Sequence, residues 1–80
     1  MDEIQIRLAR CFLVVFPELN ADRIKEANSI TVHSWDSVAG VTLIAVVEEE
    51  FEIMIEDDDL AKFNSFEGFL TYLRDAELGL

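Results

Sequence analysis

One hydroxyl, one thiol, one imidazole and a large set of carboxylates are the side chains of this sequence best suited to chemistry. Ser37 directly follows Asp36 and opens an apolar run that reaches Val47. Asp and Ser are ordinary helix-start residues, because their side chains accept hydrogen bonds from backbone N–H groups that a helix leaves unpaired. A hydroxyl at such a place can receive a group, but it has no base beside it in the sequence. The single histidine, His33, lies four residues upstream in a polar loop, which is too little for nucleophilic catalysis. With no second ligand near it, His33 is also not expected to bind a metal. Cys11 is the only cysteine, so an internal disulfide and a cysteine-based metal site are both excluded. Glu48-Glu49-Glu50 and Asp57-Asp58-Asp59 lack the glycine and the alternating ligands of a calcium loop. Nothing in the chain can build the sugar cleft that paired glycosidase acids need. With no Gly-rich phosphate loop and no basic patch, an autonomous enzyme is not expected.

The elements that must position these residues read as helices. Ile4, Leu8, Cys11, Phe12 and Val15 fall within an arc of roughly 100°, which makes one core-facing stripe on a helix over 3–16. Cys11 lies inside that stripe and is expected to behave as a small core hydrophobe. Pro17 ends the helix by pushing the residue before it out of helical geometry. Residues 17–35 form a connection longer than usual, of the kind that carries function or a short turn of its own. Asn20 or Asp22 can cap a turn around Arg23–Glu26, and Ile24, Ile30 and Val32 are expected to anchor the loop. The β-branched run Val41–Val47 suits a buried strand as well as a helix. Helix is favoured by the Asp36 cap, by the unbroken continuation into Glu48-Glu49-Glu50-Phe51, and by the lack of a second strand to pair with. Its apolar residues point in nearly every direction, so some are expected to face a partner or an attached group. Asp57–Phe63 reads as a short acid-started helix. Asn64 or Ser65 then restarts the chain as a helix, Asn64 and Glu67 having capping-box spacing. Phe66, Phe69, Leu70 and Leu73 form its core stripe, and residues 75–80 are expected to fray. The expected fold class is all-α: one domain over residues 1–80, a bundle of three main helices plus one short helix.

Composition narrows the partners. The 80 residues carry 17 acidic and 6 basic side chains, for a net charge of −11, yet 51% are hydrophobic. That is too apolar for a disordered acidic tail and too acidic for a nucleic-acid or anionic-membrane binder, which needs clustered Lys and Arg. Residues 1–35 hold five acids and four bases, whereas residues 36–80 hold twelve acids and only Lys62 and Arg74. The excess is therefore concentrated in Glu48–Glu50, Glu52 and Glu56–Asp59, either as a solvated face or as a docking surface for Lys and Arg on a partner protein. Asp2 and Glu3 stand where a positively charged leader would begin, and no apolar stretch is long enough to span a membrane. A monomeric cytoplasmic protein is expected.

One longer pattern goes beyond these separate readings. Trp35-Asp36-Ser37-Val38, then Val41, Leu43-Ile44, Glu48-Glu49-Glu50-Phe51, Ile53 and Ile55-Glu56-Asp57 closely resembles the acyl carrier protein family. In that family an Asp-Ser-Leu opens the second helix, which closes on an acidic run. The resemblance continues without a gap from Asp36 to about Leu73, and the first helix and long loop match in layout. It implies that Ser37 bears a covalent 4′-phosphopantetheine, with Asp36 as motif and cap. It also implies that the chain catalyses nothing itself and is a substrate of a phosphopantetheinyl transferase and of acyl-transferring or acyl-modifying enzymes. Val38, Val41, Glu48, Glu49, Glu50, Glu52 and Asp57 would form the surface that meets basic faces on those enzymes. Ile44, Val47, Phe51 and Ile55 are candidates to line a space for an acyl chain. The departures are specific. His33-Ser34-Trp35 replaces the usual Leu-Gly-Ala, and Val38 replaces Leu. Ala39, Gly40 and Thr42 stand where many fatty-acid carriers are polar or acidic, and Glu56 stands at a frequent proline. They favour a specialised carrier of fatty-acid, polyketide or other lipid pathways. Two alternatives remain open: an acidic helical interaction module with no prosthetic group, and an aminoacyl or peptidyl carrier, which the absence of Gly-Gly-x-Ser disfavours.

Overall fold

The computed structural model describes residues 2–55 and 63–77. Within them lie three α-helices, α1 (Glu3–Val15), α2 (Ser37–Phe51) and α3 (Phe66–Glu77), and one 3-10 helix, Ala21–Glu26. No strand occurs among the described residues, and an isolated antiparallel bridge joins Asn28 to Ser65. The all-α bundle expected from the sequence is the observed architecture. Asp57–Lys62 of the expected short helix and residues 78–80 lie outside the described residues.

Each boundary has a local cause. Asp2 caps α1 through a full capping box: its carboxylate accepts from the Gln5 N–H, and the Gln5 side chain accepts from the Asp2 N–H. The helix stops before Pro17, with Phe16 N–H closing the last turn on the Phe12 carbonyl at 2.7 Å. Asn20 caps the 3-10 helix by accepting from Asp22 N–H, as one of the two candidates required. Asp36, in extended geometry, caps α2 by accepting from Ala39 N–H at 2.8 Å.

Three expectations need correcting. Residues 75–77 do not fray but continue α3 to Glu77. The helix-start pair is not Asn64 with Glu67. Ser65 caps α3, its hydroxyl accepting from Gly68 N–H at 2.9 Å, because the Asn64 carbonyl is taken by Ser29 N–H at 2.8 Å. Ile30 does not anchor the loop: it is 90% exposed, whereas Ile24 and Val32 are buried. The Asn28 carboxamide accepts from both Ile30 and Thr31 N–H, and this side-chain-closed turn holds Ile30 at its outer corner.

The core is aromatic at its centre. Phe12 makes edge contacts with Trp35, Phe66 and Phe69 at centroid distances of 5.6, 5.2 and 5.7 Å, and Phe16 tilts against Trp35 at 5.3 Å. Such contacts add to area burial because ring edges are positive and ring faces negative. Leu8, Leu43, Val47, Ile55 and Leu73 complete the cluster with Cys11 at its margin.

Candidate functional site

The chain reaches Ser37 through a series of short hydrogen-bonded turns. Val32 N–H bonds the Asn28 carbonyl, Trp35 N–H the Val32 carbonyl, and Asp36 N–H the Ser34 carbonyl, each at 3.0–3.1 Å. The loop is fastened from two further directions. Ser29 and Ala27 pair with Asn64 and Phe66, and the Ser34 hydroxyl donates to the Glu18 carboxylate. That bond holds Glu18 below the ordinary carboxylate range. A long connection that could wander is thus pinned at both its ends and its middle.

Ser37 is the first residue of α2 and is exposed. Asp36 satisfies the N–H of Ala39, so the N–H groups of Ser37 and Val38 remain among those a helix start leaves without intrahelical partners. The site therefore offers a hydroxyl, two backbone donors and the positive end of a 15-residue helix dipole, a setting that favours phosphate. Val38 and Val41, at 74% and 66% exposure, flank the hydroxyl together with Thr42. On the other side, Ser37 lies on the rim of a hollow of about 540 Å³ lined by Ser29, Trp35, Asp36, Gly40, Val41, Ile44 and Phe63.

The fit of these residues to phosphopantetheine follows from that chemistry. The hydroxyl is reachable, the neighbouring carboxylate is engaged with the backbone, and the helix terminus suits the diester. No basic side chain is needed for it. Among the described residues, no group of three or more His, Cys, Asp or Glu could hold a metal ion, and no helix is long and apolar enough to cross a membrane.

The acidic end of α2 divides into two kinds of carboxylate. Glu48 is partly buried, and its carboxylate accepts from Ile55 N–H at 2.7 Å, while its carbonyl accepts from Glu52 and Ile53 N–H. It closes the helix. Glu50 is held by Arg7, whose Nε lies 2.8 Å from the carboxylate and whose Nη2 lies 2.6 Å from the Glu50 carbonyl. The same guanidinium stands 4.5 Å above the Phe51 ring. Its pKa is raised, first by the hydrogen bond to Glu50. Glu49 and Glu52 point outward and share a shallow depression with Val14 and Val46. Asp57 lies outside the described residues. Of the candidate acyl-lining residues, Val47 and Ile55 are buried in the core, Ile44 reaches the hollow and Phe51 is half-buried beneath Arg7.

Sequence reasoning missed Arg7, which cross-links α1 to the end of α2, and the pairing of Trp35 with Gly40. A Cβ on Gly40 would stand 3.3 Å from the indole Nε1, so the helical glycine makes room for the indole. The signal was available: a glycine inside a helix, costing about 1 kcal/mol against Ala, stands five residues after the only Trp. In comparisons with known proteins, no family model, no curated protein and no solved structure matches the chain.

Proposed function

We propose that this chain is an acyl carrier: a non-catalytic domain that bears 4′-phosphopantetheine on Ser37 and presents thioester-bound acyl groups to partner enzymes. The observation that carries the reading is the exposed Ser37 hydroxyl at the first position of α2, capped by Asp36 and bordered by a hollow lined mostly with carbon. The motif resemblance from Trp35 to Asp57 points the same way. When bound, the group supplies a thiol on a flexible arm. The chain's residues do the rest. Ser37 provides the ester oxygen. Asp36 fixes the helix start and keeps its own charge turned toward Ala39. The N–H groups of Ser37 and Val38, at the helix start, would be available to its phosphate.

Val38 and Val41 give a partner a small apolar contact, and Glu49 and Glu52 give it a charged one at the far end of the helix. Charge-steered docking of this kind forms quickly and releases readily, which suits a shuttle. The test is loading from coenzyme A and Mg²⁺ by a broad-specificity phosphopantetheinyl transferase, followed by peptide mass mapping. The expected label sits on the peptide containing Ser37. A label elsewhere would overturn the assignment to Ser37, and no label would return the chain to the class of acidic interaction modules.

A further inference from the structure

The hollow beside Ser37 has an unusual inner wall. Trp35 is 9% exposed and forms its side toward the core. The indole meets Phe12 in an edge contact at 5.6 Å and Phe16 at a tilt at 5.3 Å, and Phe12 in turn contacts Phe66 and Phe69. The pyrrole edge lies against the α2 backbone at Gly40, close enough that an added Cβ would be in tight contact with Nε1. The indole thus fills the space between the first turns of α2 and the aromatic centre. From Ser37 to Ile44 the hollow follows seven residues of helix, about 10 Å, and at its far side stands Phe63, buried and packed on Phe69 and Tyr72.

We infer that Trp35, seated by Gly40, is a specificity-determining stopper. It closes the passage from the Ser37 hollow to the bundle interior, so the hollow shelters only a compact apolar group and a long linear chain stays in water. This rests on the carrier reading for its biological meaning, because Ser37 is then the point from which the group is delivered. The occupant follows from the lining: walls mostly of carbon, with the Asp36 carboxylate among them, favour an apolar group over an anionic one, and Trp35 packed on Phe12 and Phe16 limits its depth. A side chain that served only the core would not need a glycine opposite it on the rim of the hollow.

The test attaches the apolar group directly and needs no transferase. In a Ser37→Cys variant, butyl and dodecyl methanethiosulfonates are joined to residue 37: the thiolate attacks the reagent's sulfenyl sulfur, an alkyl disulfide forms, and methanesulfinate leaves. Cys11 is buried and its thiol is pushed up to about 11 by burial, so the unsubstituted protein, run as the control by mass spectrometry, should take no label at neutral pH. The expected result is that butyl and dodecyl adducts melt within about 2 °C of one another, since methylenes beyond the hollow gain nothing; burying all eight extra methylenes would raise the midpoint by roughly 25 °C or more. Emission of the single Trp should shift on butylation and shift no further with dodecyl. In the Trp35→Leu, Ser37→Cys protein the dodecyl adduct should instead be the more stable. A melting temperature that climbs with chain length while Trp35 is intact overturns the inference, and so does a length profile unchanged by Trp35→Leu. Should Trp35→Leu fail to fold, the length series with Trp35 intact decides alone. Failure of enzymatic loading at Ser37 would count against the carrier reading while leaving this length series to stand or fall separately.

Discussion

Burial separates the chain's thiol from the hydroxyl of Ser37. Cys11 is 3% exposed, and burial, aided by the nearby Glu50 carboxylate, raises its pKa from 9.0 to about 11. Its thiol should resist alkylation at pH 8 in the folded protein and react promptly once the chain is unfolded in denaturant. The sign of the pH effect follows from linkage. The folded state holds the thiol proton more tightly, so the contribution is complete below pH 9 and is lost as pH rises through 11. The drop in melting temperature between pH 9 and 11 should therefore be smaller in Cys11→Ala than in the wild type. Equal drops would show that the thiol is not desolvated. Ser37, in contrast, is exposed. Its candidacy as an attachment point was legible in the sequence, from Asp36 before it and the acidic helix end after it. Its surroundings were not, because the hollow depends on where Trp35 and Phe63 fold back.

At the scale of elements, α1, the Asp36 cap and α2 were legible because periodicity and capping act within a few residues. The start of α3 was legible, but its end, which lies at Glu77 beyond the expected fraying point, and its cap were not: Asn64 and Ser65 are both good caps, and the choice is made by Ser29, more than thirty residues away. Ile30 misled for a similar reason, since an apolar residue in a loop anchors only if the local turn directs it inward. The glycine in α2 tests the packing at this scale. Gly→Ala in a helix ordinarily gains about 1 kcal/mol, but Gly40→Ala should gain nothing, because its Cβ would crowd the indole. In a Trp35→Leu background the same substitution should recover most of that gain, a coupling read from denaturant midpoints in a double-mutant cycle. The end of α2 offers a second test. Glu52 holds a left-handed conformation, φ 54°, which a side chain disfavours and glycine accepts. Glu52→Gly should stabilise the protein by about 0.5–1 kcal/mol, visible as a rise of roughly 3–6 °C in melting temperature. Loss of stability there would mean that the Glu52 side chain has a structural bond of its own.

For the molecule as a whole, charge and shape divide the work. The net charge of −11 was plain in the sequence, as was its concentration after Asp36. Which carboxylates face outward was not, because Arg7 and the Ile55 N–H reach theirs only in the fold. Reversing Glu49 and Glu52 to Lys should slow transferase loading several-fold at low salt and flatten its salt dependence, with the fold retained. Reversing Glu50 should also unfasten α1 from α2, so its melting temperature should fall while that of Glu49→Lys does not. The proposed carrier needs only a single attachment point and a charged helix end, and that proposal has a direct measurement. Intact-mass analysis after incubation with coenzyme A, Mg²⁺ and a broad-specificity phosphopantetheinyl transferase should show a gain of one phosphopantetheine in the wild type and none in Ser37→Ala. No gain in the folded wild type, or a gain that persists in Ser37→Ala, would contradict the account.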